Sequence, residues 1–177
     1  GDTFGGYYTG RNGGGTQMIS ATGYRTPNVN TVSYSSNVTL YAHWTAKPIH
    51  IFYNVNGGTV TTTTAGGTFD VNASKFVTVN GSIVYSKINY GSSIGTDGLN
   101  NYNNANYMNI TKYGYIAKTD AQWNSKDAGN GVSYNQATNY TYAQFLSDPT
   151  IREFETYMGL YLYVNWKANS YTVTYNG

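Results

Sequence analysis

One short pattern occurs twice in this chain at a fixed separation. Residues 40–46 read Leu-Tyr-Ala-His-Trp-Thr-Ala, and residues 162–168 read Leu-Tyr-Val-Asn-Trp-Lys-Ala. An alternating stretch follows each copy, over residues 49–55 and 171–175, and the separation between the copies is 122 residues in both cases. Two matches at one separation indicate a duplicated unit, and the alternation of apolar with polar side chains predicts strands.

The phase of the repeat predicts three segments. We expect residues 1–47 to be the C-terminal part of a first repeat, residues 48–168 to be a complete, elaborated repeat, and residues 169–177 to be the first strand of a following repeat. The joints between these segments are very short, and the ring of Pro48 fixes φ in the first of them. We therefore expect a semi-rigid string of units.

A strand without its own unit presents unpaired N–H and C=O groups that pair readily with another chain. The segment 170–177 is such a strand in this prediction, and residues 1–46 lack the strand that should precede them. We therefore expect residues 170–177 to pair with residues 1–46 of a neighbouring molecule, as strand exchange between molecules, or to be disordered.

Composition narrows the class of protein further. Charged residues make up 10% of the chain, the net charge is +2, aromatic residues reach 16%, and there is no cysteine. The low charge does not provide the basic surface that binds nucleic acid or an anionic membrane. The sequence contains no run of about 18 apolar residues, so no membrane insertion is expected. The lack of cysteine excludes disulfides, thiol catalysis and zinc–thiolate sites. Abundant Thr, Tyr, Gly and Asn predict strands and tight turns, and they suit an extracellular bacterial protein.

Within the complete repeat the pattern predicts mostly strands, with two short helices near the end. Thr141-x-x-Gln144 has the form of a capping box. Asp148-Pro149 supplies an N-cap followed by a proline at the first helical position. Apolar side chains at helical spacing follow it, and we expect this face to pack on the sheet: Ile151, Phe154, Tyr157 and Met158.

The two strand pairs resemble the Listeria–Bacteroides repeat, also called the internalin B-repeat. Its hallmark is a Leu-Tyr-Ala-x-Trp strand followed by a Tyr-x-Val-x-Tyr-Asn-x-Asn-Gly-Gly strand and turn, which residues 40–45 and 51–58 match. Residues 4–9 and 88–92 are similar to two further segments of that family. The positions that carry the repeat motif are Leu40, Tyr41, Trp44, Tyr53, Gly57, Gly58, Leu162, Tyr163, Trp166 and Tyr175.

This resemblance implies an α+β fold that is mostly β. It implies tandem small β-grasp-like repeat modules, of which the second is enlarged by an insertion and two short helices. Such modules occur on secreted or wall-attached bacterial surface proteins, as spacers or in adhesion, and the family contributes no catalytic residues. From their alternation alone, Trp44 and Trp166 are expected to be core anchors of their units and not ligand platforms.

Titratable side chains are few and scattered, so we predict no catalytic residues, no cofactor site and no metal site. His43 is expected to be exposed because it lies on the strand face opposite Ala42 and Trp44, and His50 is expected on the surface of the next strand. No carboxylate lies near them in sequence to complete a metal site. The segment 120–127 lacks the density of acidic residues that a calcium loop needs. The chain is therefore not expected to be an enzyme.

The Asn/Tyr-rich loop around residues 97–125 is the candidate ligand-binding surface. Tyr102, Tyr107 and Trp123 stand there among several asparagines. Aromatic faces beside amide groups suit sugars, and they also suit protein partners. The alternative is a long insertion that packs its rings on its own sheet.

Taken together, these features predict a non-enzymatic repeat segment of a secreted or wall-attached bacterial surface protein. We expect it to act as a spacer or stalk in adhesion, at the cell surface or in the cell wall, with neighbouring repeats of the same chain as partners. One alternative is binding of a host glycan or a host surface protein through the loop at 97–125. Another is a role as an accessory module of a large surface enzyme.

Overall fold

The computed structural model is mostly β, with several sheets and few helices. It forms two compact units, Gly1–Lys47 and Pro48–Gly177, so the division falls at the predicted short joint. None of the helices in the described part has the length and apolar character that crossing a bilayer requires. The structure describes residues 1–30, 36–61, 69–72, 76–79, 82–83, 85–95, 99 and 109–176.

The first unit is a three-stranded antiparallel sheet. Its elements are β1 (Asp2–Tyr8), a 3-10 turn (Arg11–Gly13), β2 (Gln17–Ile19), a second 3-10 turn (Pro27–Asn30) and β3 (Tyr41–Ala46). The strand order is β2-β1-β3, so β3 is an edge strand among the described residues. Met18 is the only apolar side chain that is buried in the described part of this unit. The first unit therefore has a very small core of its own.

The second unit contains the other described strands and one α-helix. These elements are β4 (Ile49–Asn54), β5 (Thr59–Thr61), β6 (Phe69–Asn72), β7 (Phe76–Val79), β8 (Ser82–Ile83), β9 (Tyr85–Ile88), β10 (Asn109–Thr111), β11 (Tyr115–Ala117), β12 (Trp123–Asn124), β13 (Ser133–Tyr134), α1 (Tyr142–Leu146), β14 (Arg152–Glu153), β15 (Met158–Val164) and β16 (Trp166–Ala168). The main sheet has the order β13-β12-β15-β4-β7-β6, with β14, β8 and β9 paired beside it. Two separate pairs, β5 with β10 and β11 with β16, complete the unit.

The parallel strands β4 and β15 hold the centre of the main sheet. Side chains of both strands alternate, and the core-facing ones pair in register: Met158 with Ile49, Leu160 with Ile51, and Leu162 with Tyr53. Each of these six side chains is at most 6% exposed. Trp123 from β12 and Phe145 from α1 are fully buried as well. The predicted alternation of the two strands is therefore confirmed in the second unit, where it lines the core.

The capping box predicted at Thr141 is confirmed. The Thr141 hydroxyl accepts a hydrogen bond from the backbone N–H of Gln144, and the Gln144 side-chain oxygen accepts one from the backbone N–H of Thr141 at 2.8 Å. These bonds satisfy backbone donors at the start of α1, which the helix itself leaves unpaired. Helix α1 is short, with five residues, and buries Tyr142 and Phe145.

The second predicted helix, at Asp148-Pro149, is wrong. The carboxylate of Asp148 caps a single turn, where it accepts hydrogen bonds from the backbone N–H and the hydroxyl of Thr150 at 2.8 and 2.7 Å. The chain then extends into β14, which pairs with β15. The apolar residues whose spacing suggested a helix pack differently. Met158 begins β15, and the rings of Phe154 and Tyr157 stack with their centres 4.6 Å apart.

The two tryptophan strands pair with their neighbours in the same register. In the first unit, β3 runs antiparallel to β1, and in the second unit β16 runs antiparallel to β11. Residues of β3 and β16 that are 122 positions apart occupy equivalent places in these ladders. In the first unit, Trp44 lies opposite Phe4 and Ala46 opposite Asp2. In the second unit, Trp166 lies opposite Ala117 and Ala168 opposite Tyr115.

The hydrogen bond that follows each ladder is also the same. The backbone N–H of Lys47 donates to the carbonyl of Gly1 at 3.2 Å, and that of Asn169 donates to the carbonyl of Gly114 at 2.9 Å. Lys47 and Asn169 are again 122 residues apart. Identical pairing over four successive positions is a likeness of backbone geometry, beyond the likeness in sequence.

The strand order on the other side of the tryptophan strands matches too. Ala42 pairs with Tyr7 of β1, which is itself paired with β2. Val164, which lies 122 positions after Ala42, pairs with Trp123 of β12, which is itself paired with β13. The order β2-β1-β3 of the first unit thus corresponds to β13-β12-β15 of the second.

Residues 170–176, which were predicted as the first strand of a following repeat, belong to no strand ladder in the structure. Their large apolar side chains alternate and are open to solvent, with exposures of 80% for Tyr171, 70% for Val173 and 90% for Tyr175. Their pairing with another molecule stays a prediction.

Candidate functional site

Of the three residues predicted to bind a ligand, the structure describes Trp123. Tyr102 and Tyr107 lie outside the described residues. Trp123 is fully buried, its ring lies 5.0 Å from the ring of Tyr53, and its indole N–H donates to the carbonyl of Leu99 at 2.9 Å. A buried indole offers no face to a ligand, so the prediction for Trp123 is wrong. Trp123 lies on a central strand, which the irregular composition around it concealed.

The two motif tryptophans, which sequence reasoning assigned to the core, differ from each other. Trp44 is 59% exposed, which contradicts its prediction as a core anchor. Trp166 is half-buried, and its indole N–H donates to the carbonyl of Val55 at 3.1 Å. A Cβ on Gly58 would lie only 2.7 Å from Cζ2 of Trp166. The turn after β4 therefore covers Trp166 closely, and it can do so because Gly58 has no side chain.

A cleft of about 440 Å³ opens beside Trp166 in the second unit. This size lies within the range of small-molecule sites. Strands β10, β11 and β16 form part of its wall, and the rest comes from Lys112 between β10 and β11, from the segment between β11 and β12, and from Gln136. The side chains that matter for its chemistry are Lys112, Tyr115, Thr119, Gln122, Gln136 and Trp166.

The cleft lies where the second unit departs from the first. In the first unit the β1–β3 ladder is irregular between Phe4 and Gly6. At the equivalent place in the second unit, the backbone N–H of Asn165 donates to the carbonyl of Gln122, and the carbonyl of Asn165 accepts from the backbone N–H of Lys118. Residues 118–122 therefore bulge out of the ladder. Bulges re-aim side chains and are common beside binding sites. Here the bulge brings Thr119 and Gln122 to the cleft.

Lys112 supplies the positive charge of the cleft. Its Nζ lies 4.6 Å from the centre of the Tyr115 ring and 5.8 Å from that of Trp166, and it donates to the carbonyl of Asn56 at 3.3 Å. Contacts of this kind with ring faces attract a cation electrostatically. The ring of Tyr115 is 43% exposed, so one aromatic side chain beside the lysine remains open to solvent.

Two glutamines form the polar floor of the cleft. The Gln122 side-chain oxygen accepts from the backbone N–H of Gln136 at 2.9 Å, and its side-chain amide donates to the carbonyl of Thr119. The Oε1 atom of Gln136 is buried and makes no hydrogen bond with any described residue. A buried acceptor without a donor costs about 1–3 kcal/mol. The cleft therefore combines open aromatic surface, one cation and an unsatisfied amide oxygen.

Two other concave regions offer less chemistry. One of about 500 Å³ is lined by Tyr90 and Tyr142 with small polar residues. Another of about 120 Å³ is lined by Asn54, Tyr163 and the single carboxylate of Asp127. Within the described ranges, no three His, Asp or Glu side chains group together as metal ligands.

Each histidine is packed within its own unit. His43 was predicted to be exposed but is half-buried, because the glycine-rich turn folds over it and a Cβ on Gly13 would collide with its ring. The ring of His50 stacks on Tyr157 at 4.4 Å. Burial, and secondly the charge of Lys87, lower the pKa of His50 from its ordinary value of 6.5.

Comparison of the chain with protein-family models, curated proteins and solved structures finds no match. The similarity that remains to interpret is internal. Among the repeat-motif positions, Leu162 is fully buried beside Tyr53, and Trp166 meets Gly58. Trp44 in the first unit is the counterpart of Trp166, and Tyr175 in residues 170–176 is the counterpart of Tyr53. Both are exposed, so they lack these contacts.

Proposed function

We propose that this chain is a repeat segment of a secreted or wall-attached bacterial surface protein, in which it acts as a spacer or stalk for adhesion. The observation that carries the proposal is the recurrence of one strand arrangement, in one register, at a separation of 122 residues. Stacked or tandem copies of one unit are the usual way to build an extended protein. We infer that the units are β-grasp-like modules, in line with the resemblance of residues 40–58 to the Listeria–Bacteroides repeat.

The connection between the units favours this role. Strand β3 ends at Ala46 and β4 begins at Ile49, so only Lys47 and Pro48 lie between them. Both of these residues are already bonded within a unit: Lys47 donates to Gly1, and the carbonyl of Pro48 accepts from Met158 at 2.8 Å. A joint of this kind has little slack, and proline restricts it further. A spacer needs such joints to keep its length.

The spacer proposal can be tested by display on a bacterial surface. One, two or three copies of the chain are placed between an anchor and a tag, and the distance of the tag from the cell surface is measured by fluorescence. We expect a constant increment of distance for each added copy. A variant with Gly-Ser residues inserted between Lys47 and Pro48 serves as the control and should lose part of that increment. A distance that does not change with copy number would contradict the proposal.

The cleft beside Trp166 favours a second candidate function, which is binding of a carbohydrate. An open ring at Tyr115 can stack on the apolar face of a sugar, and Gln136 and Thr119 can exchange hydrogen bonds with its hydroxyls. The cation of Lys112 favours sugars that carry a carboxylate. In this proposal the cleft takes the place of Trp123, which the sequence predicted as a ligand-binding residue. The cleft lies partly within the predicted ligand-binding loop, residues 97–125.

A glycan array with neutral and acidic sugars tests this second function. The informative variants are Tyr115→Ala and Lys112→Met, and the matched control is Tyr113→Ala, because Tyr113 is fully exposed and does not line the cleft. We expect specific binding that both cleft variants lose and the control retains. Binding that survives both cleft variants would move the site elsewhere, and no binding to any glycan would leave the spacer role alone.

A further inference from the structure

A groove of about 500 Å³ lies between the turn that follows β9 and the start of α1. Two short segments line it, residues 90–93 and residues 141–143. We call it the Tyr90 groove. Its volume lies within the range of small-molecule sites, and it shares no lining residue with the cleft beside Trp166.

Backbone hydrogen bonds hold the two walls of the Tyr90 groove together. The N–H of Ile94 donates to the carbonyl of Tyr140 at 2.9 Å, and the N–H of Tyr142 donates to the carbonyl of Ser92 at 3.0 Å. The turn itself is closed by a bond from the N–H of Ser92 to the carbonyl of Asn89 at 3.1 Å. The walls are therefore fixed without a ligand, and a preformed site loses less conformational freedom when it binds.

Tyr90 supplies the open aromatic surface of the groove. Its side chain is 75% exposed, and its ring meets the ring of Tyr142 edge to face, with the centres 5.5 Å apart and the planes at 78°. Tyr142 is buried on α1, so it gives the ring of Tyr90 a fixed support and offers no second open face. The groove thus presents one aromatic ring to solvent.

The free polar groups of the groove are hydroxyls. Ser92 and Ser93 are exposed, and their hydroxyls make no hydrogen bond with any described residue. A serine hydroxyl can both donate and accept. The Thr141 side chain is committed to the capping box of α1, so the end of the helix contributes no free donor that this site would need. No charged residue occurs in residues 88–95 or 138–147.

We propose that the Tyr90 groove binds a neutral carbohydrate. The C–H face of a sugar ring stacks on Tyr90, and its hydroxyls exchange hydrogen bonds with Ser92 and Ser93. The lack of charge leaves nothing in the groove to pair with a carboxylate. A single open ring suits one sugar ring, whereas proline-rich peptides dock in grooves that are lined by aromatic residues along their length.

The place of the groove in the sheet sets it apart from the ends of the sequence. Ile88, two residues before Tyr90, pairs with Ile49, where β4 begins. Strand β15 runs parallel to β4 and starts at the same end of the main sheet, whereas β16 and residues 170–176 follow the other end of β15. A following unit would therefore continue from the opposite end of the sheet.

An array of neutral oligosaccharides, built from hexoses and N-acetylhexosamines, tests the proposal. We expect specific binding that Tyr90→Ala weakens about tenfold or more, because the stacked ring is lost. Tyr90→Phe keeps the ring and should retain binding. The matched control is Tyr24→Ala, since Tyr24 is also 75% exposed but lies in the first unit, away from the groove. An unchanged urea midpoint shows that Tyr90→Ala protein is folded.

Binding of a neutral sugar should also be insensitive to sodium chloride, because salt screens interactions between charges. The proposal is overturned if no neutral oligosaccharide binds, or if Tyr90→Ala protein binds as tightly as the native protein. A proline-rich peptide that binds through Tyr90 in place of any sugar would overturn the ligand class. Binding of acidic sugars alone, lost in Lys112→Met and kept in Tyr90→Ala, would support the cleft beside Trp166 and overturn this groove, so the two sites can fail separately.

Discussion

At the scale of single residues, Gly58 and Trp166 depend on each other although 108 positions separate them. The indole N–H of Trp166 donates to the carbonyl of Val55, and a Cβ at position 58 would collide with the six-membered ring of the indole. This contact joins the Asn-Gly-Gly turn after β4 to the tryptophan strand β16.

A Gly58→Ala substitution should therefore destabilise the protein by about 1–3 kcal/mol, because overpacking forces neighbouring atoms to shift. The free energy of unfolding in urea measures the effect. The Trp166→Phe background removes the atom that Cβ would approach, so Gly58→Ala should cost less there, as a double-mutant cycle reveals. An equal cost in both backgrounds would mean that the contact with Trp166 is not the cause.

His50 should make the stability of the protein fall on mild acidification. Burial and Lys87 lower its pKa in the folded protein, so the unfolded chain binds the proton more tightly. The stability that this provides is present above about pH 6.5 and is lost as the pH falls below that value. Urea midpoints between pH 7.5 and pH 5 measure it. His50→Phe should flatten the profile and keep the ring stack on Tyr157, whereas an unchanged profile would rule His50 out as the source.

At the scale of elements, the carboxylate of Asp148 joins the turn after α1 to strand β13. It is 2% exposed and accepts from the Tyr134 hydroxyl at 2.7 Å as well as from Thr150. Burial, and next the contact with Asp148, raise the pKa of Tyr134 far above its usual value of 10. The turn, the helix and the strand are thus tied together through one acidic side chain.

Removal of the two partners should have unequal effects. Tyr134→Phe loses one hydrogen bond to a charged group, about 1.5–3 kcal/mol. Asp148→Ala should cost more, because it leaves the Tyr134 hydroxyl and the Thr150 groups without their acceptor. Above about pH 10 the native protein should also lose stability, since an unfolded tyrosine ionises there and the buried one does not. The Tyr134→Phe protein should lose less over that range in urea titrations, and an identical loss would contradict this role.

Local patterns predicted the strands and the cap of α1, because alternation and the Thr141–Gln144 pair act within a few residues. The second helix was wrong because its signal, Asp148-Pro149, is equally suited to a capped turn. What decides between the two is the bond from Tyr134, which lies 14 residues earlier, and the pairing of β14 with β15. Such contacts are set by the tertiary structure and leave no local trace.

The candidate site was less accessible to sequence reasoning. Trp44 and Trp166 sit in the same pattern, and only the neighbours that cover them differ. The side chains that line the cleft come from separate segments of the chain, so no single spacing in the sequence predicts it. The structure shows one signal: five residues, 118–122, stand opposite Asn165, where the first unit has an irregularity of its ladder near Gly5. The likeness of the two units makes that insertion visible only once the ladders are aligned.

At the scale of the whole molecule, the two units should differ in stability. The second has a continuous core around β4 and β15, while Met18 alone is buried among the described apolar side chains of the first. A small unit that buries little apolar surface is marginally stable. The first unit should therefore unfold more readily than the second.

Hydrogen exchange can measure this difference directly. Backbone amides of β1 and β3 should exchange faster than those of β4 and β15, because local opening costs less free energy where the core is small. Protection of β1 and β3 equal to that of β15 at low concentration would contradict the expected difference.

The parallel arrangement of β4 and β15 has a mechanical consequence. One strand begins the second unit and the other lies near its end, and six residue pairs join them. A force that pulls the ends of this unit apart slides the two strands along each other, so their hydrogen bonds bear the load together, whereas a hairpin pulled at its open end breaks them one after another. Single-molecule stretching should therefore find that the second unit resists a higher force than the first before it unfolds.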